Sequence, residues 1–341
     1  MIISLTKRSV LRPLVPFFFC MLFFSCQKEL SLENGGGGAV VVTPPDLTTK
    51  VTAASVSGFV TDENDAAMLN ATVQVGANTV TTDKYGFFEV KNVQVVQTAA
   101  VVTVNKTGYF KGIKTWMANQ GKSAFFRIKL IPKSIQGTIN AATGGTVTLS
   151  NGASVTLLAN GVVNAATSAA YSGTVNVAVY WFNPTAADLA KTMPGDLRGL
   201  STDGSSLQLL RTFGMMAVEL TGSGGELLQV ATGKTASLQF PIPSALGADA
   251  PATIQLWYFD EAKGLWKEEG TATKSGSNYV ASVSHFSFWN CDTPISYVPF
   301  SCTVHDPAGN PIHNAIVKIT RISNGDYRYG WTDSSGYVSG P

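Results

Sequence analysis

Charged and metal-ligating side chains are scarce in this chain of 341 residues. Only 13% of positions are charged, three are histidine and four are cysteine. None of His285, His305 and His313 is followed by an acid at zinc-site spacing, and no HxxE, HExxH or CxxC occurs. No metal and no cofactor are therefore expected. Serine-hydrolase signatures are missing too, with no GxSxG anywhere and no SxxK after the N-terminal segment. The glycines of Gly222–Gly225 are not followed by GK[ST], so they read as a hairpin turn and not as a phosphate cradle. Asp62, Glu63 and Asp65 lack the alternating oxygen ligands of a calcium loop and read as a solvated turn. No cluster of Lys and Arg occurs, which removes the electrostatic footprint of a nucleic-acid binder. After the first 25 residues no apolar run is long enough for a second membrane anchor.

What the N-terminus does have is an address. Lys7, Arg8 and Arg12 precede an apolar run from Leu14 to Phe24, too short to cross a bilayer and matched to a signal-peptide core. The run closes in "FFSC", which resembles the lipobox of bacterial lipoproteins, although Phe23 stands where Leu is usual. The resemblance implies removal of residues 1–25 and lipidation of Cys26; ordinary secretion with cleavage elsewhere is the alternative. "QKEL" and Glu33 resemble the export signal of Bacteroidetes-type lipoproteins, which implies an outer-membrane lipoprotein facing the cell exterior. Residues 26–50, with their glycines and Pro44-Pro45, then form a flexible tether. Loss of three cations takes the formal net charge from +2 to −1. Two cysteines remain in the body of the chain, Cys291 and Cys302. Outside the cytoplasm they either form a disulfide, adding up to about 3 kcal/mol in the chain-entropy model, or stay as two buried thiols.

Both ends of the body carry the same pattern. "VTDENDAAMLNATVQV" (Val60 to Val75) aligns without a gap on "VHDPAGNPIHNAIVKI" (Val304 to Ile319), and "TDKYGFF" (from Thr82) answers "TDSSGYV" (from Thr332). Strand, polar turn, period-two strand and an Asp-x-x-Gly turn follow one another. The pattern resembles the carboxypeptidase regulatory-like domain, which implies a transthyretin-like sandwich over residues 51–133 and a linker plus second copy over 291–341. The second copy reaches Pro341 without the strands that would complete a sandwich, so either the chain is a fragment or this end is poorly ordered.

Residues 134–290 read as a larger sandwich. "SNGASV" and "ANGVV" carry Asn-Gly turns, and "NPTAADLAK" carries a helix start with Asn183 as N-cap and Pro184 at the first helical position. "GGTVTLSNGASVTL", "MPGDL", "TFGMMAVEL", "FDEAKGLW" and "HFSFWNCD" resemble cartilage intermediate layer protein and the sandwich domains of ankyrins and netrin receptors. That resemblance implies scaffolding or partner binding. The expected fold is thus all-β, tandem antiparallel sandwiches of transthyretin-like, Greek-key type with one short helix. The expected function is a non-catalytic surface module for binding, adhesion or scaffolding.

Two stretches raise sharper possibilities. Trp257 and Trp266 share one hairpin, where rings exposed in one plane would stack on glycans and rings turned inward would fill the core. "SHFSFWN" (Ser284 to Asn290) alternates like a closing strand, yet His-Phe-Ser is also a self-cleavage tripeptide in related sandwiches. In that reading Ser287 Oγ attacks the Phe286 carbonyl and His285 takes the proton. A strand would put His285 and Ser287 on one face, about 6.5–7 Å apart. The ligands expected are thus the membrane, through the N-terminal lipid, and a glycan or an extracellular protein.

Overall fold

Alternating β-branched and polar residues become strands through nearly all of the computed structural model, which describes residues 44–296, 298–322 and 327–341. These residues belong to one compact unit, Val42–Pro341. The signal segment 1–25 and Cys26 lie outside the described residues. No helix among the described residues is long and apolar enough to cross a membrane.

The first repeat contributes β1 (Lys50–Thr61), β2 (Thr72–Val75), β3 (Asn78–Thr81), β4 (Phe87–Val96), β5 (Ala100–Asn105), β6 (Gly112–Trp116) and β7 (Ser123–Lys129). They form two sheets, β4-β1-β7 and β3-β2-β5-β6. All pairings are antiparallel except β1 with β7, which is parallel. Strand alternation sends Val56, Val60, Val73, Val75, Phe88, Val102 and Val104 into one core between them. Each large side chain so buried stabilises the fold by about 1.5–3 kcal/mol.

The central region is one continuous sheet of 13 strands that curls around its own core. In chain order these are β8 (Ile135–Asn140), β9 (Gly145–Thr148), β10 (Ser154–Leu157), β11 (Val162–Asn164), β12 (Thr174–Phe182), β13 (Arg198–Leu200) and β14 (Leu207–Thr221). They continue as β15 (Leu227–Val230), β16 (Ala236–Pro241), β17 (Thr253–Asp260), β18 (Leu265–Ser275), β19 (Asn278–Val283) and β20 (Phe288–Ile295). The all-β fold is as the sequence leads one to expect.

The helix is shorter than expected and starts later. It spans Leu189–Thr192, with Asp188 rather than Asn183 at its N-cap. Asn183 Oδ1 instead accepts from the amide and the hydroxyl of Thr185, closing an Asx turn ahead of the helix. Its end is fixed by Pro194, which holds the preceding Met193 in extended geometry (φ −63°, ψ 146°).

The second repeat supplies β21 (Phe300–Thr303), β22 (Ile316–Thr320), β23 (Tyr327–Trp331) and β24 (Tyr337–Gly340), paired β21-β24 and β22-β23. Its turns repeat the hydrogen bonds of those in the first repeat. Thr82 Oγ1 donates to Met68 O and accepts from Ala71 N; Thr332 Oγ1 does the same with Ile312 O and Ala315 N. Asp83 Oδ1 accepts from the amides of Tyr85 and Phe87, as Asp333 Oδ1 does from those of Ser335 and Tyr337. Gly86 (φ 73°) and Gly336 (φ 74°) close the two turns. A Cβ there would lie 2.3 Å from Val60 O and 2.4 Å from Val304 O, so only glycine fits.

Candidate functional site

Of the two readings of Trp257 and Trp266, the core one fits the structure and no exposed aromatic platform forms there. Trp257 and Trp266 are both 0% exposed. Hairpin β17–β18 is buried on both faces: Ile254, Leu256 and Ala272 point into the central core, while Trp257, Phe259 and Trp266 pack with Phe110 and Ile113 of the first repeat. Trp257 Nε1 donates to Asp292 O at 3.3 Å, and Gly199 lets the ring approach the neighbouring strand closely. A hairpin that looks half-exposed in isolation is thus covered by the adjoining module.

Cys291 and Cys302 are free thiols, and the disulfide is not formed. They lie in different modules. Cys291 is fully buried in the central sheet, where burial pushes its thiol up, and Cys302 is half-buried on β21 opposite Val338.

"SHFSFWN" is not one strand. β19 ends at Val283 and β20 begins at Phe288, so Ser284–Ser287 form a bend. The cause is Gln229 on β15, whose Oε1 accepts from Phe286 N at 2.8 Å and whose Nε2 donates to Phe286 O at 3.1 Å. A side chain thus takes the place of the ladder. Ser287 Oγ donates to Phe288 O at 3.0 Å. The His285 ring packs edge-on against Tyr258, with centroids 4.8 Å apart, and lies 4.9 Å from Trp289. Its Nε2 is 3.8 Å from Glu269 Oε1. No described hydrogen bond joins His285 to Ser287, so the triplet's acid–base partner and nucleophile are held apart in their bonding.

Several deeply buried polar groups form joints between modules. Arg198, wholly buried, donates to Asp196 and, through Nη1, to Thr98 O of the first repeat at 2.7 Å. Lys114 Nζ donates to Ala190 O at 2.8 Å and Met193 O at 2.6 Å; desolvation draws its ammonium down to about 7. Thr115 Oγ1 donates to Gly264 O, and Lys133 pairs with Glu219. From the second repeat, Arg328 Nη2 donates to Leu210 O at 2.9 Å. Near it, burial pushes the Asp292 carboxyl well up, with Arg328 opposing. Asn290 Nδ2 donates to Asp292, and Thr212 Oγ1 to Asn290 Oδ1. Among the described residues no group of three or more His, Cys, Asp or Glu could hold a metal.

Sequence reasoning missed an inter-module cleft. A cleft of about 490 Å³ lies where the second repeat meets the first repeat and the central sheet. Trp116, Phe125 and Lys114 line it from the first repeat, Arg211 from the central sheet, and Ile319, Tyr329 and Val338 from the second repeat. Tyr327 and Tyr329 on β23 lie nearly parallel (20°, 6.3 Å), and Tyr329 meets Trp331 edge-on at 5.3 Å. The signal was present as "YRYGW", whose aromatics recur at alternate positions of a strand.

No family model matches the chain. It is similar to human cartilage intermediate layer protein 2, 34% identical over 125 residues, covering 36% of this chain and 10% of that protein. The mouse protein of the same name is 29% identical over 163 residues, covering 46% and 14%. The chain therefore spans no more than about a seventh of either relative. Among solved structures, a candidate membrane-associated protein of unknown function from Bacteroides fragilis is 10% identical with a TM-score of 0.20, covering 72% of this chain and 99% of its own. A candidate carbohydrate-binding protein from Bacteroides uniformis is 11% identical with a TM-score of 0.20, covering 68% and 98%. Superpositions this poor do not establish a common topology.

Proposed function

We propose that the chain is a non-catalytic binding or scaffolding module, lipid-anchored through Cys26 to an outer membrane and facing the cell exterior, with the inter-module cleft as its ligand site. One observation carries the reading. Lys114, Arg198 and Arg328 are engaged in joints between modules, while a cleft of about 490 Å³ opens on aromatic and aliphatic side chains of the second repeat. Such a concavity is where a ligand is bound by default. Similarity to a relative named for a tissue layer and not for a reaction supports it.

The test has two arms. Metabolic labelling with palmitate in a bacterial host should mark the chain and should be lost in Cys26→Ala; labelling that persists would sink the anchor. Arrays of glycans and extracellular proteins should then be probed with the full chain and with Tyr329→Ala. A ligand retained by the chain and weakened by the substitution supports the cleft. A ligand indifferent to Tyr329 puts the binding site elsewhere.

A further inference from the structure

We infer that Thr212 and Asn290 are the partners of a self-formed side-chain ester that joins β14 to β20, with Asp292 moving the proton. It is a single event of the chain on itself and does not depend on what the cleft binds.

Strand register brings the three groups together. β14 and β20 pair antiparallel, with Thr212 directly opposite Asp292. The register then shifts, so that Asn290 meets Met215 and β14 carries one extra residue. Gly214 (φ 146°) lies in that bulge, and a Cβ there would lie 3.0 Å from Trp181 Nε1. Asn290 and Asp292, two apart on β20, share a face. Thr212 Oγ1 donates to Asn290 Oδ1 at 2.7 Å and accepts from Gly214 N at 3.1 Å. Asn290 Nδ2 in turn donates to Asp292 Oδ2. Hydroxyl, amide and carboxyl thus form one chain.

The surroundings suit a reaction better than a purely structural role. Asn290 and Asp292 are 0% exposed and Thr212 is half-buried, so little water competes for the amide carbon. Asp292 Oδ1 is buried with no hydrogen-bond partner among the described residues. Such an atom costs about 1–3 kcal/mol, which an apolar pair of similar shape would avoid. Burial also pushes the Asp292 carboxyl well up, with Thr212 and Arg328 opposing, so the group holds a proton to give.

The step balances within the chain. Thr212 Oγ1 attacks Asn290 Cγ and forms the new C–O bond. The hydroxyl proton passes to Asp292, and Asp292 passes its own to Nδ2. The C–N bond then breaks, its electron pair stays on nitrogen, and ammonia leaves. Asp292 ends protonated, as it began, and no co-reactant is consumed. The product ties the strand that leads into the second repeat to the middle of the central sheet by a covalent bond.

Mass spectrometry of the folded full chain, after denaturation, reduction and trypsin, tests the inference. Thr212–Lys234 and Ser275–Lys318 should appear as one joined species, lighter than their sum by one ammonia, about 17 Da. Mild alkali should separate them and leave a carboxylate at position 290. Thr212→Val and Asp292→Asn should each give two separate peptides at full mass, and Thr212→Ser should give the joined one. Circular dichroism checks that each variant folds, and the parent chain alone decides the matter if one does not.

Four outcomes overturn the inference. Two unjoined peptides of full mass from the parent would mean that the three groups are only hydrogen-bonded. A loss of about 17 Da that persists in Thr212→Val would place a cyclic imide at Asn290 instead. A joined species that resists alkali would not be an ester. Joining in folded Asp292→Asn would remove the part assigned to Asp292.

Discussion

Replacing Thr82 with valine, and separately Thr332 with valine, poses one chemical question in two environments. Valine keeps the β-branched shape and deletes only the hydroxyl. In the first repeat that hydroxyl donates to Met68 O at 2.5 Å and accepts from Ala71 N at 2.8 Å, both within the buried core. Two backbone groups would lose their partner without gaining water, at about 1–3 kcal/mol each, offset by just under 1 kcal/mol for the extra apolar group. Thr82→Val should therefore destabilise the protein by about 1–5 kcal/mol. Thr332 is as buried as Thr82 and makes the matching bonds to Ile312 O (2.6 Å) and Ala315 N (2.9 Å). Its partner residues are more exposed than Met68 and Ala71, with Ile312 at 39%, so water has readier access to their main chain once the hydroxyl is gone. Its loss should cost about 1–2 kcal/mol. Urea unfolding followed by circular dichroism gives the first figure, and hydrogen exchange over 304–340 gives the second. Equal costs, or a larger cost at Thr332, would refute the argument that burial sets the difference.

Lys114 titrates in the folded protein near 7 against 10.5 ordinarily, because its burial disfavours the charge. Between those values the unfolded chain binds the extra proton, so stability should rise as pH climbs from about 7 to about 10.5. Lys114→Met should remove that rise, as read by denaturant midpoints across the range; an identical slope in the variant would refute it. Under native conditions a maleimide should label Cys302 and spare Cys291, whose thiol is fully buried and pushed up in pKa. Peptide mapping checks this, and native labelling of Cys291 would contradict the packing. Intact mass under denaturing conditions should show no break between Phe286 and Ser287 in either the parent chain or Ser287→Ala. Two fragments in the parent alone would mean that Ser287 escapes its bond to Phe288 O and attacks.

The internal repeat was fully legible, because turn chemistry is written locally. Asp62 and Asp306, Asn70 and Asn314, Gly86 and Gly336 announce their bonds by spacing alone. Strand content was legible for the same reason. The core place of Trp257 and Trp266 was one of the two readings their hairpin allowed. The neighbouring module that covers them was not legible, because alternation says which residues share a face and nothing of what packs on it. The bend at Ser284–Ser287 was hidden too: its cause, Gln229, lies 57 positions away on another strand. The short helix misled through Asn183, since an Asx turn and an N-cap use the same side chain for the same kind of bond.

The joints of Arg198, Lys114 and Thr115 also bear on how such chains can evolve. Their acceptors are main-chain carbonyls, which no substitution in the acceptor's own side chain can delete. Recombination that swapped the first repeat for a cousin would have to bring a cation and a hydroxyl aimed at the same three carbonyl sites, or strand buried polar groups on both sides of the seam. The first repeat and the central sheet should therefore be inherited together, a single unit of exchange made from two folds.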